Sequence, residues 1–248
     1  MAASGRTTGP EVIWARPERA GRGPRPAHTR AEIAAAAVRI ADAEGIDAVS
    51  MRRVAAEIGC GTMSLYNYVP RKEDLYELMV DAAAAEYELP ARPSGDWRAD
   101  LLGLARQSRA MMHRHPWMPG LMSPVYGFSP NALRYFEYVL WALEGLDVED
   151  GAKMELLAMM TAVVTSFVAS ELTAAERHRA SPHPPEQERA ARSAYLAREL
   201  ASGRYPRMAR TFESASGPAD QDVLFERAMR RIFAGFAAES AGGGEGAS

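Results

Sequence analysis

Apolar positions recur along most of the chain at helical spacing, and no segment alternates convincingly as a strand would. Ile33, Ala36, Ala37 and Ile40 form one stripe, and Met51, Val54, Ala55 and Ile58 form a second at i, i+3, i+4 and i+7. Thr29-Arg30-Ala31-Glu32 fits a capping box ahead of the first stripe, and Gly45 is a natural stop. Ser50 can cap the second helix, Gly59-Cys60-Gly61 breaks it, and Gly61 or Thr62 opens a short third helix ending near Tyr68. After Pro70 a longer helix lines Leu75, Leu78, Met79 and Ala82 on one face. Further helices are predicted near 96–114, 130–145, 150–178, 186–202 and 220–239, with Ser129-Pro130 as a cap and first-turn proline. The 150–178 segment is apolar almost all round between Met154 and Ala169, and is expected in the middle of the body. The fold class is all-α.

Composition adds boundaries. Hydrophobic residues at 47% and charged residues at 25% are ordinary for a soluble globular protein. No uninterrupted apolar run reaches the ~18–20 residues of a membrane span, and the N-terminus lacks the apolar core of a secretory signal. A cytoplasmic protein without membrane contact is expected. One cysteine, Cys60, excludes an internal disulfide framework and a multi-cysteine metal site within the chain. The net charge is −3, but residues 1–75 hold eleven Lys/Arg against nine Asp/Glu, so a mildly basic head precedes an acidic body. Residues 1–28 are rich in Gly, Pro, Ala and Arg without apolar period, which predicts a flexible arm carrying Arg16, Arg19, Arg22 and Arg25.

Two short helices joined by a tight glycine turn have the geometry of a DNA-reading helix-turn-helix. Leu65 and Val69 are the inward positions of the third helix, which leaves Thr62, Met63, Ser64, Tyr66, Asn67 and Tyr68 largely outside. Asn67 can pair with adenine, Met63 can touch a thymine methyl, and the hydroxyls can reach bases or phosphates. On pattern alone, a packing helix inside a helical bundle stays open as the other reading.

The stretches Ile33–Ala37, Gly45–Ala55, Ile58-Gly59 and Ser64–Leu75 resemble the DNA-binding domain of the tetracycline-repressor (TetR) family over about fifty residues. Arg22–Pro26 and Met51-Arg52 look like the subgroup nearest the tetracycline repressors themselves. The resemblance implies that Arg52, Thr62, Met63, Ser64 and Asn67 face bases, with Arg52 also suited to phosphate. It implies that Tyr66, Tyr68 and Lys72 hold phosphates, and it gives Thr29 and Arg53 weaker claims. The basic arm would reach an adjacent minor groove. Cys60 lies in the turn; with no Lys, His or second Cys close in sequence it reads as a plain turn residue rather than a redox switch.

Beyond residue 90 the resemblance is fainter and fits a tetracycline-repressor-like body, with Asp96-Trp97, a His-Pro corner and two late helices. Methionines and aromatics crowd this region and suit a pocket for a flat or greasy molecule, although each alone could be ordinary core. The candidate ligand residues are Met111, Met112, His115, Trp117, Met118, Met122, Tyr126, Phe128, Tyr135, Tyr138, Met160 and Thr161. The positions that match the family's magnesium–tetracycline site include Glu88, Leu104, Ser108 and Met122, which cannot rebuild it. No metal site is expected at His113, His115, His178 or His183, and no cofactor is expected. Phe225, Ala228, Met229, Ile232, Phe233 and Phe236 form an apolar face expected to join 150–172 in a dimer interface.

The expected organisation is an arm at 1–28, a helix-turn-helix domain at 29–75, a helical regulatory and dimerisation domain at 76–239, and a disordered tail at 240–248. The expected function is a ligand-responsive regulator, most simply a repressor, that binds a palindromic double-stranded operator as a homodimer and releases it for a small apolar or aromatic effector. An activator of the same fold remains the near alternative. An all-helical enzyme or an interaction module is the distant one, because no nucleophile elbow, phosphate loop or paired acid–base motif is present.

Overall fold

The computed structural model describes residues 12–16, 28–122, 128–213 and 220–242, and among them every regular element is helical. Helix α1 (Arg30–Glu44) begins as the capping box requires: the Thr29 hydroxyl accepts from the Glu32 N–H at 3.1 Å, and Glu32 accepts from the Thr29 N–H at 2.8 Å. Helix α2 (Met51–Glu57) is capped by Ser50, whose hydroxyl accepts from the Arg53 N–H. Gly59 has φ +73°, a conformation closed to most side chains, and this turn brings in α3 (Thr62–Tyr68). Leu65 and Val69 are fully buried, so α3 is pinned through one edge. Helix α4 (Lys72–Ala84) packs along α1 and leads into the body.

The body consists of α5 (Trp97–Arg114), the single turn α6 (Met118–Leu121), α7 (Pro130–Ala142), α8 (Asp150–Ala180), α9 (Pro185–Ala201), α10 (Pro206–Glu213) and α11 (Gln221–Gly242). Helices α6 and α10 were not foreseen; both are short, and α10 is amphipathic over too few residues to show a clear period. Helix α11 continues into the first residues of the expected tail. Helices α5, α8 and α11 pack together. Arg109 ties all three, donating to Glu171 at 2.6 Å and to Asp222 at 2.7 Å, while its guanidinium lies 5.0 Å from the Phe225 ring.

Four expectations change. First, the arm is not wholly unpacked: Ile13 is fully buried, and the Arg30 guanidinium donates to the carbonyls of Ile13 and Arg16 at 2.9 and 3.0 Å. The Trp14 indole also donates to Glu77 of α4, so an Ile-Trp pair supplies the apolar anchor that the surrounding Gly, Pro and Arg conceal. Arg19, Arg22 and Arg25 lie outside the described residues.

Second, α8 is not central within the chain. Leu156, Leu157, Met160, Val164 and Val168 form one buried stripe, while Met154 and Met159 are 40% and 48% exposed. By length and mean composition α8 is also apolar enough to cross a bilayer, a property its interrupted apolar runs mask in the sequence.

Third, the aromatic face of α11 turns inward. Phe233 and Phe236 pack edge-on to Trp97, and Phe225 packs on Phe167. Those aromatics complete this chain's own core, leaving Val223 outside.

Fourth, Ser129 does not cap α7 through its side chain, and its buried hydroxyl has no partner among the described residues. Asp81 of α4 does the work instead, accepting from the Asn131 N–H at 2.7 Å and its amide at 2.8 Å. A carboxylate matches the positive end of a helix better than a hydroxyl does.

Candidate nucleic-acid interface and body cavity

The head presents one polar surface. Because α3 buries only Leu65 and, just past its end, Val69, its other side chains must point outward. Met63 is 79% exposed and Tyr66 41%; Ser64 and Asn67 are exposed, and Thr62 and Tyr68 half-buried. Arg52, at the start of α2, and Lys72, at the start of α4, are exposed as well. All eight residues singled out in the head therefore reach solvent, and they belong to α3 and the two helix ends that flank it. Two weaker candidates are otherwise engaged. Thr29 caps α1, and Arg53 donates to Glu44 at 2.9 Å and Glu57 at 3.2 Å. The His28 ring meets Tyr68 edge-on, with centroids 6.4 Å apart, so the start of α1 adjoins the end of α3.

The body holds a cavity of about 610 Å³ between α4, α5, α6, α7 and α8, open to the surface where Phe128 and Met154 are exposed, a size suited to a drug-like molecule. Of the candidate ligand residues, Met111, Met112, Met118, Met122, Phe128, Tyr135, Met160 and Thr161 line it. Tyr126 lies outside the described residues.

Three candidates are placed elsewhere. His115 is buried but bridges two carboxylates, Asp42 of α1 at 2.8 Å and Glu86 at 2.8 Å. Burial opposes its charged form, yet the hydrogen bonds and charges of Asp42 and Glu86 outweigh that and hold the imidazole above its ordinary value. Trp117 gives its indole N–H to the same Asp42 at 2.7 Å. Both residues left the cavity because polar partners on the head hold them. Tyr138 is buried toward the start of α5, where Asp100 helps raise its pKa after burial itself.

The cavity also uses residues not singled out beforehand: Tyr87, Phe136 and Thr165, with Ser108 now lining the wall rather than failing at a metal site. Helical spacing carried part of that signal. Thr165 is one turn beyond Thr161, and Ser108 is one turn before Met111 and Met112. Tyr87, which follows α4 in a turn, had no periodic signal. Its hydroxyl meets Ser108 Oγ at 2.6 Å, and burial pushes its pKa up to about 12.

The histidines hold acids or lie apart: His113 meets Glu171 at 2.8 Å, and no cluster of three metal-ligating side chains occurs among the described residues.

Two family models match the chain. The one described as bacterial regulatory proteins, tetR family, covers residues 33–79, and the tetracyclin repressor-like C-terminal domain covers residues 89–240. The HTH-type transcriptional repressor DrrR1 of Streptomyces coeruleorubidus is 39% identical over 211 residues, 84% of this chain and 77% of its own length. An HTH-type transcriptional regulator of Saccharopolyspora erythraea is 31% identical over 233 residues, 92% of each chain. Among solved structures, the TetR family protein ActR of Streptomyces coelicolor in complex with actinorhodin superposes with a TM-score of 0.68 at 25% identity. That match covers 86% of this chain and 98% of ActR.

Proposed function

The chain belongs to the tetR family of bacterial regulatory proteins, and on that premise we propose that it is a ligand-responsive repressor, acting in the cytoplasm. It binds a palindromic operator as a homodimer and lets go when a small apolar or aromatic molecule fills the cavity. Residues 29–75 are the DNA-reading head and 76–239 the sensing and dimerising body. In this reading Arg52, Thr62, Met63, Ser64 and Asn67 face bases, while Tyr66, Tyr68 and Lys72 hold phosphates and fix register.

One observation carries the coupling. The short segment from His115 to Met122 has one end on the head and the other in the cavity. His115 and Trp117 hold Asp42 of α1, whereas Met118, Leu121 and Met122 line the cavity wall. A molecule that displaces those side chains acts on a piece of chain already fastened to the head. The body then prefers a different head spacing, and only differential affinity for the two arrangements can shift the balance. The face of α8 that exposes Met159 supplies apolar area for a second copy, and a two-fold dimer places its recognition helices about one DNA turn apart, ~34–36 Å.

Selection from random duplexes with the purified chain tests the reading. The expected product is an inverted repeat, bound with each of Arg52→Ala and Tyr66→Ala losing ~1–3 kcal/mol while the thermal midpoint holds. Wild-type affinity in both variants would remove α3 and its flank from the interface.

A further inference from the structure

His115 stands where three parts of the chain meet. It is the C-cap of α5, its Nδ1 lies 2.8 Å from Asp42 of α1, and its Nε2 lies 2.8 Å from Glu86 in the turn after α4. An ionised carboxylate has no proton to give, and a neutral imidazole has only one N–H. Two such contacts therefore require the imidazolium, donating from both nitrogens.

The local charges agree. Around the buried ring stand Asp42 from α1, Glu86 from the turn after α4, and Arg114 from α5, which donates to Glu86. With a neutral ring these groups sum to one negative charge, and with an imidazolium they sum to zero. The negative end of α5 favours the cation as well. Other charges of the adjoining helices are committed elsewhere: Arg39 to Glu57, Glu44 to Arg53, Asp81 to Asn131 and His113 to Glu171. Burial opposes the charge, but Asp42 and Glu86 raise the pKa of the ring.

The same stretch of chain runs on into the cavity. Trp117 donates to the Asp42 oxygen that His115 holds, and Met118, Leu121 and Met122 line the wall. Losing the proton breaks one of the two carboxylate bonds and sets a carboxylate against a ring lone pair. The segment 115–122 is then held less firmly, and a molecule that pushes Met118, Leu121 and Met122 aside meets less resistance. An effector that displaces this segment thus opens the contact that the proton closes. Because the effector releases the operator, the closed contact belongs to the operator-binding arrangement.

Resting on the reading of the cavity as effector site and the head as operator site, we propose that the proton is a second regulator: protonated His115 latches head to body, and effector and proton oppose each other. Acid holds the latch and keeps the operator bound. By linkage, filling the cavity expels the proton from His115.

The test titrates the full chain with N-phenyl-1-naphthylamine, an uncharged dye that brightens in apolar cavities, between about pH 6 and about pH 9, where histidines change charge. Wild type should bind the dye about tenfold more tightly at the alkaline end than at the acid end. The ring nitrogen resonances of His115 should titrate above ~6.5, and at lower pH once dye is bound. His115→Gln should hold the tighter, alkaline affinity throughout. Asp42→Asn, whose amide can donate to a neutral ring, should hold the weaker, acid affinity throughout, and it serves alone if His115→Gln does not fold. The selected operator should follow the opposite trend, with wild type losing more affinity toward alkaline pH than either variant. Dye or operator slopes in wild type equal to those of the variants overturn the latch, while bound dye leaves the cavity reading standing. A wild-type protein that takes up no dye at any pH removes the cavity reading and the latch with it.

Discussion

The two candidate sites of this protein are built in opposite ways. The head's candidates are exposed and close in sequence: one seven-residue helix and the first residues of its neighbours supply every candidate contact. The cavity is concave and assembled from five helices whose contributors run from Val80 to Ala169. In the head, the candidate contacts follow from what the chain fails to bury. Leu65 and Val69 take α3's inward positions, so its polar side chains have nowhere to go but out. In the body, function follows from what packing fails to fill, and every lining side chain looks like ordinary core until the helices are placed.

That contrast can be tested through substitutions whose effects should fall in a definite order. Leu65→Ala should be the most damaging, costing ~2–5 kcal/mol in denaturant unfolding because it empties the only buried side chain of α3 itself. Its neighbour Met63→Ala should leave unfolding within about 0.5 kcal/mol of wild type while changing operator preference. Equal stability losses at the two positions would erase the inward–outward division. Ser108→Ala should cost ~1–3 kcal/mol, since the Tyr87 phenol loses its acceptor.

The junction between head and body should respond to pH. His115 is held above its ordinary value, so its contribution is complete below about 6.5 and fades as pH rises through the raised value. Glu86, where Arg114 and His115 outweigh burial and lower the pKa, contributes above its unfolded value and loses this as acid protonates it. The thermal midpoint of wild type should therefore decline above neutrality more steeply than that of His115→Gln. Parallel curves would mean the imidazole is not charged in the junction. The smallest effect belongs to Thr165→Val without ligand, which should be neutral or slightly stabilising, because it removes a buried hydroxyl that has no partner among the described residues.

The same contrast explains what could be read from the sequence. Capping at Thr29 and Ser50, the glycine turn and the outward face of α3 are local, and each was legible from residues a few positions apart. The cavity was legible only as a crowd of methionines and aromatics. Eight of twelve candidates line it, but His115 and Trp117 were claimed by Asp42, some seventy positions away, a partner no periodicity could reveal. The inward turn of Phe225, Phe233 and Phe236 was missed for the same reason: an apolar face declares that it will be covered, not by what. Ile13 was hidden differently, a short apolar word inside a stretch whose composition argued against packing.

The anchoring of Ile13 and Trp14 bears on how the protein is made. These residues leave the ribosome before their partners Arg30 and Glu77. With Trp14 and Glu77 roughly sixty residues apart, synthesis at ~5–20 residues per second leaves an unpaired Ile-Trp segment waiting for roughly 3–12 s. Glu77 lies on α4, which also packs along α1, so this segment can dock only once α4 has been made.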